Sequence, residues 1–173
     1  MKNLLTTVLL LLPSIAFTQN TDLERLFIER VNIVRDSLGL TPLFLIEEYR
    51  EISNSHVNYI LRTGNIAHKQ IGTSTPYGSD RAKKYGGGEL SSTSEIITYN
   101  TMNSNNDTLI VDTFIDCFLN SELHRIVLLG DTKGSCTLSI YHSNNKNICV
   151  VNFTRANTYD SKYSKYDWSC FDN

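Results

Sequence analysis

Leu23, Phe27, Val31, Val34 and Leu38 recur at helical spacing in TDLERLFIERVNIVRDSLG. This predicts an amphipathic helix whose apolar stripe faces a core. Thr21 and Glu24 form a capping-box pair at its start, and Gly39 is a stop signal. A second stripe, Ile46, Tyr49, Ile52, His56, Tyr59 and Ile60, predicts another helix that ends at Gly64. From 64 to 105 the periodicity lapses into Gly, Ser, Thr and Asn, with room for short helices around SDRAKKY and SSTSEII. A long irregular stretch inside a compact domain is more often functional than accidental. DTLIVDTFIDCFLN then predicts a helix with Ile110, Phe114, Cys117 and Phe118 inward. SELHRIVLLG reads as a short helix with Ser121 as its N-cap. GSCTLSIYH and NICVVNFT read as two strands joined by SNNKN. The fold class that follows is α+β, helices packed on a small antiparallel sheet.

The two ends stand apart from this pattern. MKN, the apolar run LLTTVLLLL and PSIAFTQ read as an export signal over residues 1–18, with Gln19 as the new first residue. The run is too short to span a bilayer, which takes ~20 apolar residues, so no transmembrane segment is expected in the mature chain. The domain is then expected over residues 19–155, followed by a polar, aromatic tail over 156–173. Removing Lys2 with the signal takes the formal charge from −2 to −3. No block of like charge occurs, which argues against nucleic acid as a partner. Export to a secreted or periplasmic location makes the four cysteines, Cys117, Cys136, Cys149 and Cys170, candidates for two disulfides in one of three connectivities. For Cys117, within an apolar helical pattern, a free buried thiol is the alternative.

The order RVNIVRDSLGLTPL, SHVNYILRTGNIAHKQ, SEIITYN, FLNSELHRIVLLG, GSCTLSIY and ICVVNF resembles the secreted CAP superfamily of cysteine-rich secretory, antigen 5 and pathogenesis-related proteins, in its short bacterial form. The resemblance runs over about residues 23 to 154. It implies a three-layer α-β-α sandwich with a cleft bearing two histidines and acidic residues, which in some members bind a divalent metal. By position, His68, Glu95 and His124 match the cleft residues, and Ser121 stands near the place of the second glutamate of the eukaryotic form. Ser94 and Ile96 around Glu95, Glu122 and Leu123 before His124, and Phe118 in place of tryptophan depart from the family pattern. Glu89, six residues before Glu95, is the competing carboxylate.

The chemistry has several readings. His68, Glu95 and His124 are a two-His, one-carboxylate set that could hold Zn²⁺ with one position open to water. The spacing H-E-x-x-H is missing, so the metal is implied by the resemblance alone. Ser121 and His124 could pair as nucleophile and base, oriented by Glu95 or Glu122. With no G-x-S-x-G elbow, a helix cap is the better reading of Ser121. Arg125 is expected to pair with a carboxylate or cover a helix end. His56, on an apolar stripe, reads as a satisfied core histidine, and His142, at the hairpin turn, as solvated. Together these favour a secreted protein whose His/Glu cleft binds an extracellular ligand, a partner or a metal without turnover. A hydrolase using a metal-bound water or Ser121, and a lipid- or sterol-binding groove, are the alternatives.

Overall fold

The computed structural model describes residues 21–130 and 134–156. The expected export signal, most of the polar tail and Cys170 lie outside the described residues. The elements run α1 (Thr21–Ser37), β1 (Phe44–Leu45), a 3₁₀ turn (Glu47–Tyr49), α2 (Glu51–Thr63), α3 (Gly78–Tyr85), β2 (Leu90–Asn100), α4 (Asp107–Asn120), α5 (Glu122–Leu128), β3 (Ser135–Ser143) and β4 (Lys146–Ala156). The strands form one sheet in the order β1-β3-β4-β2. The three long strands pair antiparallel. The two-residue β1 adds in parallel beside β3.

Alternation along the strands builds the layers. On β4, Cys149, Val151 and Phe153 join Leu23, Phe27 and Val31 of α1 and Ile110, Phe114 and Phe118 of α4 in the largest core. Ile148 and Val150, on the other face, meet Val57, Tyr59 and Ile60 of α2. Ile52 of α2, Ala82 of α3 and Leu90 of β2 close a third cluster on that side. Helices therefore cover both faces, and the chain is an α-β-α sandwich.

The second layer is partly polar. Ser53 on α2 bonds Thr137 on β3, and Asn152 on β4 donates to Ser53 at 3.1 Å. These buried groups pair with one another, as burial requires. Two arginine-centred contacts tie the helices to the rest. Glu24 on α1 accepts from Arg50 and from the Ile140 N–H at 2.9 Å. It thus faces inward and holds α1 to the sheet instead of serving the expected capping box. Arg35, fully buried, donates to the carbonyls of Thr41, Leu128 and Gly130.

Two further expectations are corrected. SSTSEII is the middle of β2, not a helix. Its Ser and Thr residues give no helical stripe, and pairing with β4 along the whole strand decides its state. The two-disulfide expectation also fails. With four cysteines it requires a bond among Cys117, Cys136 and Cys149, and all three are free thiols. Cys149 pairs with Ile140, four residues along β3 from Cys136. That offset is ~13 Å at the strand rise, beyond the ~7 Å Cα limit of a disulfide. Burial pushes the Cys136 thiol up to about 12 despite the nearby Arg35 charge.

Candidate functional site

Glu95 owes its position to an irregularity in β2. Ser92 pairs with Thr154 and Ser94 with Phe153, so Thr93 is an extra residue. Such a bulge resets the alternation. Ser92 and Glu95, three apart in sequence, consequently pair with Thr154 and Asn152 on the same face, under α2 and α3. The Glu95 side chain is only 7% exposed. Its Oε1 receives His68 Nδ1 at 3.0 Å, and its Oε2 receives His56 Nδ1 at 3.0 Å as well as the Arg81 guanidinium. Burial opposes the charge, but the bonds from His56 and His68 and the charge of Arg81 outweigh it and hold the carboxyl at about 2.

His56 lies on α2 and is fully buried. Its second nitrogen, Nε2, meets the Ala67 carbonyl at 2.9 Å. Both partners, a carboxylate and a backbone carbonyl, are acceptors. The expected core histidine is therefore satisfied, and its partners belong to the site. His68 follows the turn that begins at Gly64, whose φ of 70° ends α2 in the left-handed conformation. His68 is 57% exposed, and with Nδ1 bound to Glu95 its Nε2 is turned outward. The bond to Glu95 raises its pKa, while partial desolvation and the Arg81 charge work against the rise.

Arg81 comes from α3 and is fully buried. α3 begins hard against the sheet: a Cβ on Gly78 would sit 2.7 Å from Asn152 Oδ1 and 3.0 Å from Ser92 Oγ. Only glycine allows that approach. Between α3 and β2 opens a cleft of about 330 Å³, lined by His68, Tyr77, Gly78, Ser79, Ser92, Ser94 and Glu95. Every side chain in that lining carries a polar group.

The remaining predicted residues fall around this centre. His124 packs edge-on against Phe118, with ring centroids 5.4 Å apart. Desolvation, and to a lesser degree the charge of His68, lower its pKa. Ser121 is the N-cap of α5 by position, yet its side chain makes no capping bond. Among the described residues no hydrogen bond joins its hydroxyl to His124. Arg125 covers the end of α4 through the Leu119 carbonyl at 2.8 Å. Glu122 is exposed. Glu89 accepts from the Tyr49 hydroxyl at 3.0 Å and takes no part in the cluster around Glu95. His142 is half-buried and pairs with Asn147.

Among the described residues no group of three or more His, Cys, Asp or Glu stands in metal-binding arrangement. Glu95 directs both oxygens to donors of the protein itself. It stands behind His68, as a carboxylate stands behind a metal-ligating histidine, and leaves only the two imidazoles as candidate ligands. His56 and Arg81 were not among the predicted site residues. A histidine on an apolar stripe must find a polar partner, and that was the one signal available for either.

No protein-family profile matches the sequence, and no curated protein does. The fold has counterparts among solved structures. An extracellular protein of Bacillus anthracis containing an SCP domain, the CAP-domain type, superposes with a TM-score of 0.56 at 15% identity; the match covers 78% of this chain and 41% of that one. The chain has the CAP fold. An outer surface protein of Borrelia burgdorferi superposes with a TM-score of 0.66 at 17% identity, over 79% of this chain and 95% of that one. In this CAP fold the cleft lies at the free edge of β2, beside α3, with His68 at its rim.

Proposed function

We propose that this CAP-fold chain is an exported protein whose cleft binds an extracellular ligand without turning it over. One observation carries the reading. The cleft's carboxylate, Glu95, is held ionised by three internal donors, His68 on one oxygen and His56 and Arg81 on the other, with its pKa far below the working pH of a general base. A general base needs a pKa near the working pH and reach to the proton it removes. Glu95 acts instead as an anchor that sets the orientation of His68. Ser121, unbonded to His124, gives no support to acyl transfer. The predicted signal at residues 1–18, with an outer-surface and an extracellular protein as structural neighbours, supports export. No described helix is long and apolar enough to cross a membrane.

A metal reading keeps one specific support. Glu95 fixes Nδ1 of His68, and desolvation and the charge of His68 lower the pKa of His124, which favours the unprotonated imidazole a metal needs. A zinc ion there would be held by His68 and His124, and would supply a Lewis acid at the cleft. Two protein ligands predict weaker binding than a three-ligand site.

The test is a thermal-shift screen of small molecules on the mature protein, repeated on His68→Ala. Ligands that raise the melting temperature of the wild type only, and are recovered chemically unchanged, support the reading. Hits that are consumed, or that stabilise both forms equally, reject it.

A further inference from the structure

Glu95 is the shared acceptor of three donors from different parts of the chain. Arg81 is a permanent cation, fully buried. His56, also fully buried, places both ring nitrogens against acceptors. Both depend on the one carboxylate of Glu95, and His68 uses it as well. Buried charge is normally matched by opposite charge and complete hydrogen bonding. Arg81 lacks the second, for its Nε is buried with no partner. Its Nη2 lies 3.6 Å from the point where a Cβ of Gly78 would stand, directly behind a residue of the cleft lining.

The groups that face the cleft are of matching kind. The N–H groups of Gly78 and Ser79, in the first turn of the eight-residue α3, make no backbone hydrogen bond among the described residues. Asp80, in the same turn, is occupied by the Tyr77 N–H at 3.0 Å. The outward Nε2 of His68 adds a donor, and Lys69 stands with Nζ 5.7 Å from the Tyr77 ring centroid at the rim. Glu95 is the only acidic residue in the lining, and it faces the Arg81 guanidinium and two imidazoles.

We propose that the cleft binds an oxyanion, a carboxylate or phosphate group carried by a larger molecule, between His68 and the first turn of α3. The proposal deepens the ligand-binding reading and rests on it. A cleft of about 330 Å³ exceeds a lone anion and sits at the lower end of ordinary small-molecule sites. The anion would meet the donors gathered at this wall, and the helix N-terminus favours it as well.

The probes are sodium acetate and inorganic phosphate, titrated separately into the ¹⁵N-labelled, chelator-treated mature protein at constant ionic strength, with chloride as control. Saturable amide shifts at Gly78, Ser79 and His68 with either anion support the proposal, and the tighter of the two names the head group. His68→Gln, and Ser79→Pro, which deletes one N–H at a position where proline is tolerated, should each weaken binding by about tenfold. Linear, unsaturated shifts shared with chloride overturn it. So does anion binding that appears only after zinc is added, or affinity unchanged in both variants. Neutral screening hits lost in His68→Ala, together with no anion binding, would sink this inference and leave the ligand-binding reading standing.

Discussion

Glu95→Gln keeps the shape of the side chain and removes its charge. Holding a carboxyl at about 2 in place of the ordinary 4.5 corresponds to about 3 kcal/mol of folding stability at ~1.4 kcal/mol per pH unit. The side chain is 7% exposed, so solvent screening takes little from this figure. The substitution also leaves Arg81, fully buried, without its carboxylate. Removing one partner of a buried pair costs about 3–5 kcal/mol. Urea denaturation at pH 7 should therefore place Glu95→Gln about 3–5 kcal/mol below wild type. Glu89→Gln, whose partner is the Tyr49 hydroxyl, should lie within about 1 kcal/mol. The sign with pH follows from the depressed pKa. The stabilisation is complete above 4.5 and disappears as the pH falls towards about 2, so the two denaturation series should converge over that window. A Glu95→Gln protein within ~1 kcal/mol of wild type at pH 7, or two series that stay parallel down to pH 2, would refute the reasoning.

Arg35→Met strips three carbonyls, one of them buried and two half-buried, of their buried donor and should lower stability by about 3 kcal/mol in the same assay; Arg35→Lys should recover less than half, since an ammonium cannot fork to separate acceptors. Ser121→Ala should change stability by less than ~0.5 kcal/mol because its hydroxyl caps nothing, and a fluorophosphonate probe should leave Ser121 unlabelled; stoichiometric labelling lost in His124→Ala would restore the hydrolase. Cys136 and Cys149, buried with their thiols pushed up, should resist alkylation in the folded protein and react in denaturant. A mass four hydrogens below the reduced chain would instead demonstrate two disulfides and contradict the free thiols.

What the sequence revealed depended on how local the determining contacts were. α1, α2 and α4 carry their apolar stripes within themselves, and the β3–β4 hairpin is closed by a short turn. β2 is different. Its partner lies at the far end of the chain, and the extra residue at Thr93 breaks the alternation that would have marked a strand. Ser121 had the composition of a cap but not the bond, because cap chemistry depends on a rotamer as well as a residue type. Glu24 matched a capping box, and a partner distant in sequence, Arg50, took it instead. Within the site, His68 and Glu95 were visible through the resemblance. His56 and Arg81 were not, since each meets Glu95 across many residues and neither carries a spacing that announces it.

The bulge in β2 also bears on the outer border of the sheet. β2 is eleven residues long and forms one border of the sheet. A regular strand in that place would offer an unbroken row of amides and carbonyls, a template on which another chain could add itself. The extra residue interrupts that row midway, at the point where the strand aims Ser92 and Glu95 beneath α3. One insertion thus serves two ends, directing a carboxylate into the cleft and keeping the sheet from growing by self-association. A chain lacking Thr93 would turn Leu90 to Ser92 over to the opposite face and present a smooth border prone to fibrous aggregation.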